Sequence, residues 1–180
     1  MNPAPHLVLV GPMGAGKTSI GRRLAERLGL PFTDLDHELE ARTGSSVGAI
    51  FDCEGEAGFR AREAALLEAL LSGPPGVLAT GGGAVLAERN RQVMRTRAFV
   101  VHLAVRVDSQ LQRLARDRAR PLLQTEDRTG VLARLAAERG PLYADVADFV
   151  FETDGLAAPE AARLLAHAVH ARWQRTGVAA

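Results

Sequence analysis

Residues 11 to 18 read Gly-Pro-Met-Gly-Ala-Gly-Lys-Thr, directly after the apolar run Leu7-Val8-Leu9-Val10 and directly before a helical pattern. Gly11, Gly14 and Gly16 let the backbone turn tightly with its amides pointing inward, so a nest of N–H dipoles and a helix N-terminus face one small space. A polyphosphate fits there. Lys17 would reach its β- and γ-phosphates as a point charge, and the Thr18 hydroxyl would ligate a bridging Mg²⁺. The loop residues Gly14, Ala15, Gly16, Lys17, Thr18 and Ser19 are therefore the candidate nucleotide site.

Three further clusters could add chemistry. Asp34-Leu35-Asp36 closes the second apolar run, where side chains two apart project to one face of a strand and the carboxyl ends of parallel strands form a ligand crevice. One carboxylate could sit near Mg²⁺ while the other accepts a proton. The alternative is that Asp36 N-caps a helix starting at His37. Thr80-Gly81-Gly82-Gly83 ends the third run, and three glycines in succession leave room for a tight turn or a closely approaching substrate. No acidic residue ends that strand, which leaves Asp34 as the carboxylate near the metal. Arg60 and Glu63 lie one helical turn apart, as a surface ion pair would, and Arg139 reads singly as a cation at a helix C-terminus. If two arginines converged on one small carboxylate, bidentate guanidinium bonds would supply both energy and orientation.

The elements that must position these residues are legible from hydrophobic period. Strand-like runs stand at His6 to Val10, Pro31 to Leu35, Val77 to Thr80, Phe99 to Leu103 and Phe149 to Glu152. Between and after them lie segments of helical period: Lys17 to Leu28, Glu56 to Leu71, Glu88 to Arg95, Asp108 to Arg116, Gly130 to Glu138, and a last one around Ala161 to Val169. This alternation predicts an α/β fold with a parallel sheet and helices on both faces. From Arg113 to Arg128 the chain is rich in arginine and broken by Arg120-Pro121. It reads either as a solvated loop or as a mobile lid that closes over phosphates.

Length and composition narrow the field. The 180 residues suffice for one sizeable core, hence a single domain over 1–180, and the 47% hydrophobic and 24% charged content is that of a globular chain. A net charge of +1 gives no general attraction to nucleic acid or to anionic membranes. Small molecules are the expected partners. Met1 to His6 lacks the regions of a signal peptide, no run is long enough to span a bilayer, and the lone Cys53 excludes an intrachain disulfide; these point to the cytoplasm. The histidines have no metal-ligand spacing and read as surface residues.

Taken in order, these residues resemble the shikimate kinases, which belong to the nucleoside monophosphate kinase group of P-loop folds. The resemblance runs from Leu9 to about Pro159. It rests on Gly11 to Thr18, Asp34-x-Asp36, Gly55-Glu56 with Phe59-Arg60-x-x-Glu63, Ala79-Thr80-Gly81-Gly82-Gly83, Arg120-Pro121-Leu122-Leu123, and Arg139 followed by Pro141-Leu142-Tyr143.

The resemblance implies a three-layer fold with a five-stranded parallel sheet in the order 2-3-1-4-5, a lid over about 113–128 and a shikimate-binding subregion over about 35–65. It implies transfer of the γ-phosphoryl group of ATP to the 3-hydroxyl of shikimate, with Mg²⁺ as cofactor, by a monomer. Lys17, Asp36 and Arg120 would be catalytic, and Thr18 and Asp34 would lie at the metal. Asp36, Arg60, Gly81, Gly82, Gly83 and Arg139 would bind shikimate. Arg113 and Pro159 would flank adenine and Arg120 would reach the phosphates. Glu63 would orient Arg60, and Phe51 and Phe59 would wall the pocket. Gly140 departs from the asparagine of many relatives, which would loosen a turn carrying Arg139. Kinases of other small acceptors, such as nucleoside monophosphates or gluconate, share the P-loop and lid but leave Arg60, Arg139 and the triple glycine unexplained. A nucleotide-binding switch would bind without turnover.

Overall fold

The computed structural model describes residues 4–115 and 125–173; the predicted lid arginine Arg120 and most of its segment lie outside these. Five parallel strands, β1 (His6–Val10), β2 (Phe32–Asp34), β3 (Val77–Ala79), β4 (Ala98–Ala104) and β5 (Phe149–Glu152), form one sheet in the order β2-β3-β1-β4-β5. All five residues of β1 are buried, as the central strand of a doubly covered sheet should be. Its side chains alternate between two cores. Leu7 and Leu9 join Leu24, Ala161, Leu165 and Val169 on one face, while Val8 and Val10 join Leu67, Val85, Met94 and Tyr143 on the other.

The first face is covered by α1 (Lys17–Leu28) and α7 (Ala158–Arg172), and the second by α3 (Val47–Leu71), α4 (Glu88–Arg97) and α6 (Arg128–Val146). Two shorter helices, α2 (Leu35–Thr43) and α5 (Val107–Leu114), follow β2 and β4. At the end of α7, Trp173 is buried and donates its indole N–H to the Ala4 carbonyl at 2.7 Å, which ties the last helix to the start of the first strand.

Four local expectations are corrected. Strand β2 stops at Asp34, which is itself the N-cap of α2: its Oδ1 accepts from the Asp36 and His37 amides at 3.1 and 3.3 Å. Asp36 is thus neither a strand residue nor a cap but stands in the first helical turn. The helix expected from Glu56 begins at Val47 and passes through a bend at Gly55. The helix expected to end near Glu138 continues through Pro141 to Val146, so Arg139 is not a C-terminal cation. Gly140 lies inside that helix rather than in a turn.

Candidate active site

Gly14 and Gly16 adopt left-handed backbones (φ 77° and 90°) that L side chains rarely take. The loop they shape leads straight into α1, whose N-terminus has no side-chain cap and so leaves its first amides for a ligand. Lys17 folds back along the loop, its Nζ donating to the Gly11 and Pro12 carbonyls at 2.7 and 2.9 Å. Thr18 Oγ1 donates to Asp34 Oδ2 at 2.6 Å, which brings the loop and the end of β2 together. Ser19 Oγ donates to the Gly16 carbonyl at 3.2 Å. The cleft over this loop measures about 560 Å³, and Gly14, Gly16, Lys17, Thr18, Ser19, Asp34, Asp36, Gly81, Gly82 and Arg113 all line it. Ala15 is fully buried beneath.

A second cavity of about 150 Å³ adjoins the first through Met13, Asp36, Gly81 and Gly82, which line both. Here Arg60 from α3 and Arg139 from α6 meet, together with Glu63, Gly83, Phe51 and Phe59. Arg60 Nη1 donates to Glu63 Oε2 at 2.7 Å, and Glu63 is 1% exposed, so this is no solvated surface pair. The Nε groups of Arg60 and Arg139 are buried without a hydrogen-bond partner, as is Glu63 Oε1. Phe51 and Phe59 stack at 4.4 Å between centroids, and the Arg60 guanidinium lies 5.1 Å above the Phe59 ring. A Cβ on Gly83 would overlap the Arg60 guanidinium, with Cζ at 2.6 Å. The glycine is what admits the arginine.

The charges of this cavity act on one another. Burial raises the Glu63 carboxyl above its ordinary range; Arg60 opposes the rise, Asp36 adds to it and Arg139 opposes it again. Tyr143, one turn after Arg139, is pushed up to about 12 by burial, and the Arg139 charge opposes the rise. Its hydroxyl donates to the Gly82 carbonyl at 2.5 Å, tying α6 to the glycine turn. Behind the P-loop, His102 of β4 packs against Tyr143 with ring centroids 5.1 Å apart. Burial and then the Lys17 charge bring its imidazole down to about 4, so it is neutral at pH 7.

Two candidates stand apart from this gathering. Arg113 lines the cleft, but its guanidinium donates to the Gly14 carbonyl at 2.9 Å and to Thr153 Oγ1 and O at 3.0 and 2.5 Å. Pro159 borders a separate cavity with Arg23, Glu26 and Arg27; Arg23 is common to it and the main cleft. Sequence reasoning gave no role to Met13, Tyr143 or His102. Met13 occupies a variable position of the loop motif, and a Tyr in an apolar stretch reads as core; the surface reading of the histidines is corrected for His6, which is buried, and His102, which is half-buried, because both stand in central strands.

Comparisons with known proteins bear on the family and the fold. A family model described as shikimate kinase matches residues 13–170. Among curated relatives, the shikimate kinase of Xanthomonas euvesicatoria pv. vesicatoria (strain 85-10) is 54% identical over 180 residues, the whole of both chains. Among solved structures, the Acinetobacter baumannii shikimate kinase in complex with shikimate superposes with a TM-score of 0.89 at 47% identity, covering 93% of this chain and 94% of that one. The Bacteroides thetaiotaomicron shikimate kinase reaches 0.85 at 32% identity, covering 92% and 98%.

Proposed function

The chain belongs to the shikimate kinase family, and on that premise we propose that it transfers the γ-phosphoryl group of ATP to the 3-hydroxyl of shikimate. The products are shikimate 3-phosphate and ADP, on the route to chorismate and the aromatic amino acids. The observation that carries this is the meeting of Arg60 and Arg139, from separate helices, at a cavity floored by glycines and opening beside the P-loop. A carboxylate between them would occupy the buried donors that the protein leaves unpaired.

In this reading Asp36, which lines both cavities, takes the proton of the attacking hydroxyl as that oxygen bonds to the γ-phosphorus and the bond to the β-phosphate oxygen breaks. Lys17 leaves the Gly11 and Pro12 carbonyls for the phosphates, so its charge is delivered to the transferring group. Thr18 Oγ1 and Asp34 Oδ2, 2.6 Å apart, are hard oxygen donors suited to Mg²⁺, which commonly takes only one or two protein ligands beside phosphates and water. When bound, Mg²⁺ neutralises charge on the β- and γ-phosphates. Adenine would extend along α1 towards Arg113 and Pro159, and Arg120 would arrive with the lid.

Residues 35–65 then form the shikimate-binding subregion and 113–128 the lid. We propose further that the protein acts as a monomer in the cytoplasm. Among the described residues no helix is long and apolar enough to cross a membrane. A coupled ADP-release assay with ATP, Mg²⁺ and a panel of shikimate, nucleoside monophosphates and gluconate tests the proposal. Turnover with shikimate far above the others is expected; preference for another acceptor removes the assignment.

A further inference from the structure

A helix that carries pocket residues on both sides of a break needs something to fix the angle of that break. In α3 the break is Gly55, whose backbone (φ 70°, ψ −178°) leaves the helical region. Val47 and Phe51 precede it; Phe59, Arg60 and Glu63 follow it; all five line the acceptor cavity. Across the break Glu54 accepts two hydrogen bonds from Arg62, Oε2 from Nε at 2.7 Å and Oε1 from Nη2 at 2.8 Å.

A straight helix would place residues eight apart about 12 Å from each other along its axis. The fork-to-fork pair therefore exists because α3 is bent, and it resists straightening. The fit is close: a Cβ on Gly58 would stand 2.5 Å from Glu54 Cβ, so the lack of a side chain at 58 is what lets Glu54 fold back. The other end of the short segment is pinned too. The Val47 amide donates to Glu40 Oε1 of α2 at 2.9 Å, and Ser46 Oγ accepts from the Ala49 amide at 3.1 Å.

We infer that Glu54 and Arg62 are positioning residues for the acceptor: their bidentate pair sets the bend of α3 and with it the distance of Val47 and Phe51 from Phe59 and Arg60. The inference rests on the assignment of this cavity to shikimate. Neither side chain lines the cavity, and both are exposed (Glu54 38%, Arg62 46%). An exposed ion pair contributes little to global stability as a rule; the planar fork acts here by fixing direction. Its loss should be read in acceptor affinity, not in folding.

The test compares the parent with Glu54→Gln, Arg62→Gln and the double variant, reading kcat, both KM values and amide hydrogen exchange over residues 47–54. Each single change should raise the shikimate KM roughly three- to tenfold, a size typical of coupled neighbours, with kcat and the ATP KM within about twofold of the parent. The double variant should be no worse than the worse single one, because both remove the same pair. Exchange over 47–54 should quicken while that of β1 stays put. An unchanged shikimate KM, additive losses, equal change in both KM values, or unchanged exchange overturns the proposal. If the parent does not turn over shikimate at all, the substrate assignment fails by itself, and the exchange arm alone decides whether the pair holds the bend.

Discussion

Arg60 has one face spent on Glu63 and the other over the Phe59 ring, so its direction is fixed before any ligand arrives. Arg139 enters the same cavity from α6, one turn before Tyr143, which the Gly82 carbonyl anchors. Pre-set donors lose little entropy on binding, and charge-assisted bonds contribute about 1.5–3 kcal/mol each. Arg60→Ala or Arg139→Ala should therefore raise the shikimate KM steeply, and Lys should rescue poorly because a point charge lacks the planar fork. Shikimate methyl ester sharpens the test. It should be a poor acceptor for the parent, and the penalty for esterification should shrink in either Ala variant, whose site no longer demands the charge; an equal fold penalty in all three would dissociate these arginines from the carboxylate. Asp36→Asn should lower kcat by about two to four orders of magnitude if the carboxylate takes the proton, with a smaller effect on the ATP KM. Parental kcat in this variant would exclude Asp36 from catalysis.

At the scale of elements, the strands and α1 were legible because each has one clear period and one clear stop. The second half of the site was legible as residues but not as geometry. Asp34-Leu35-Asp36 looks like a strand end because Leu35 is apolar, yet Asp34 already caps the next helix and Leu35 turns into the core. Val47 to Glu54 gave no helical signal because Gly55 breaks it after two turns. Gly140-Pro141 are ordinary stop signals, and a proline inside a helix costs about 3 kcal/mol. The helix continues because Tyr143 and Val146, beyond the proline, are buried in the core with Val10 and Met94. That continuation brings the Tyr143 hydroxyl to Gly82, which joins α6 to the floor of the acceptor cavity. Tyr143→Phe should destabilise the fold by about 1 kcal/mol through the lost bond and raise the shikimate KM more than the ATP KM, because both Arg139 and the glycine turn are loosened. A chemical-denaturation curve together with the two KM values checks this; equal shifts in both KM values would make the hydroxyl a purely global support.

Across the whole molecule, three buried titratable groups set opposed dependences of stability on pH. His6 and His102 are both brought below the ordinary histidine value, in each case first by burial, His102 to about 4. The unfolded chain would protonate both near 6.5 while the folded one holds them neutral, so between those values the unfolded state binds more protons and stability falls as pH falls. Glu63 has the other sign. Its folded carboxyl is raised above 4.5, so its contribution is full below that value and is lost as pH rises through the folded one. The sole tryptophan, Trp173, is buried against Phe99 and bonded to Ala4, and its fluorescence reports the opening of the α1, α7 face and the start of β1 together. Melting followed at Trp173 should give a Tm that declines from pH 6.5 to pH 5. His102→Gln removes one of the two groups driving that decline and should flatten it, whereas Glu63→Gln, which removes a group of the opposite sign, should not flatten it. The two variants separate the histidines from general acid weakening of the fold, since a loss of stability common to all carboxylates would leave the slopes of parent and His102→Gln alike.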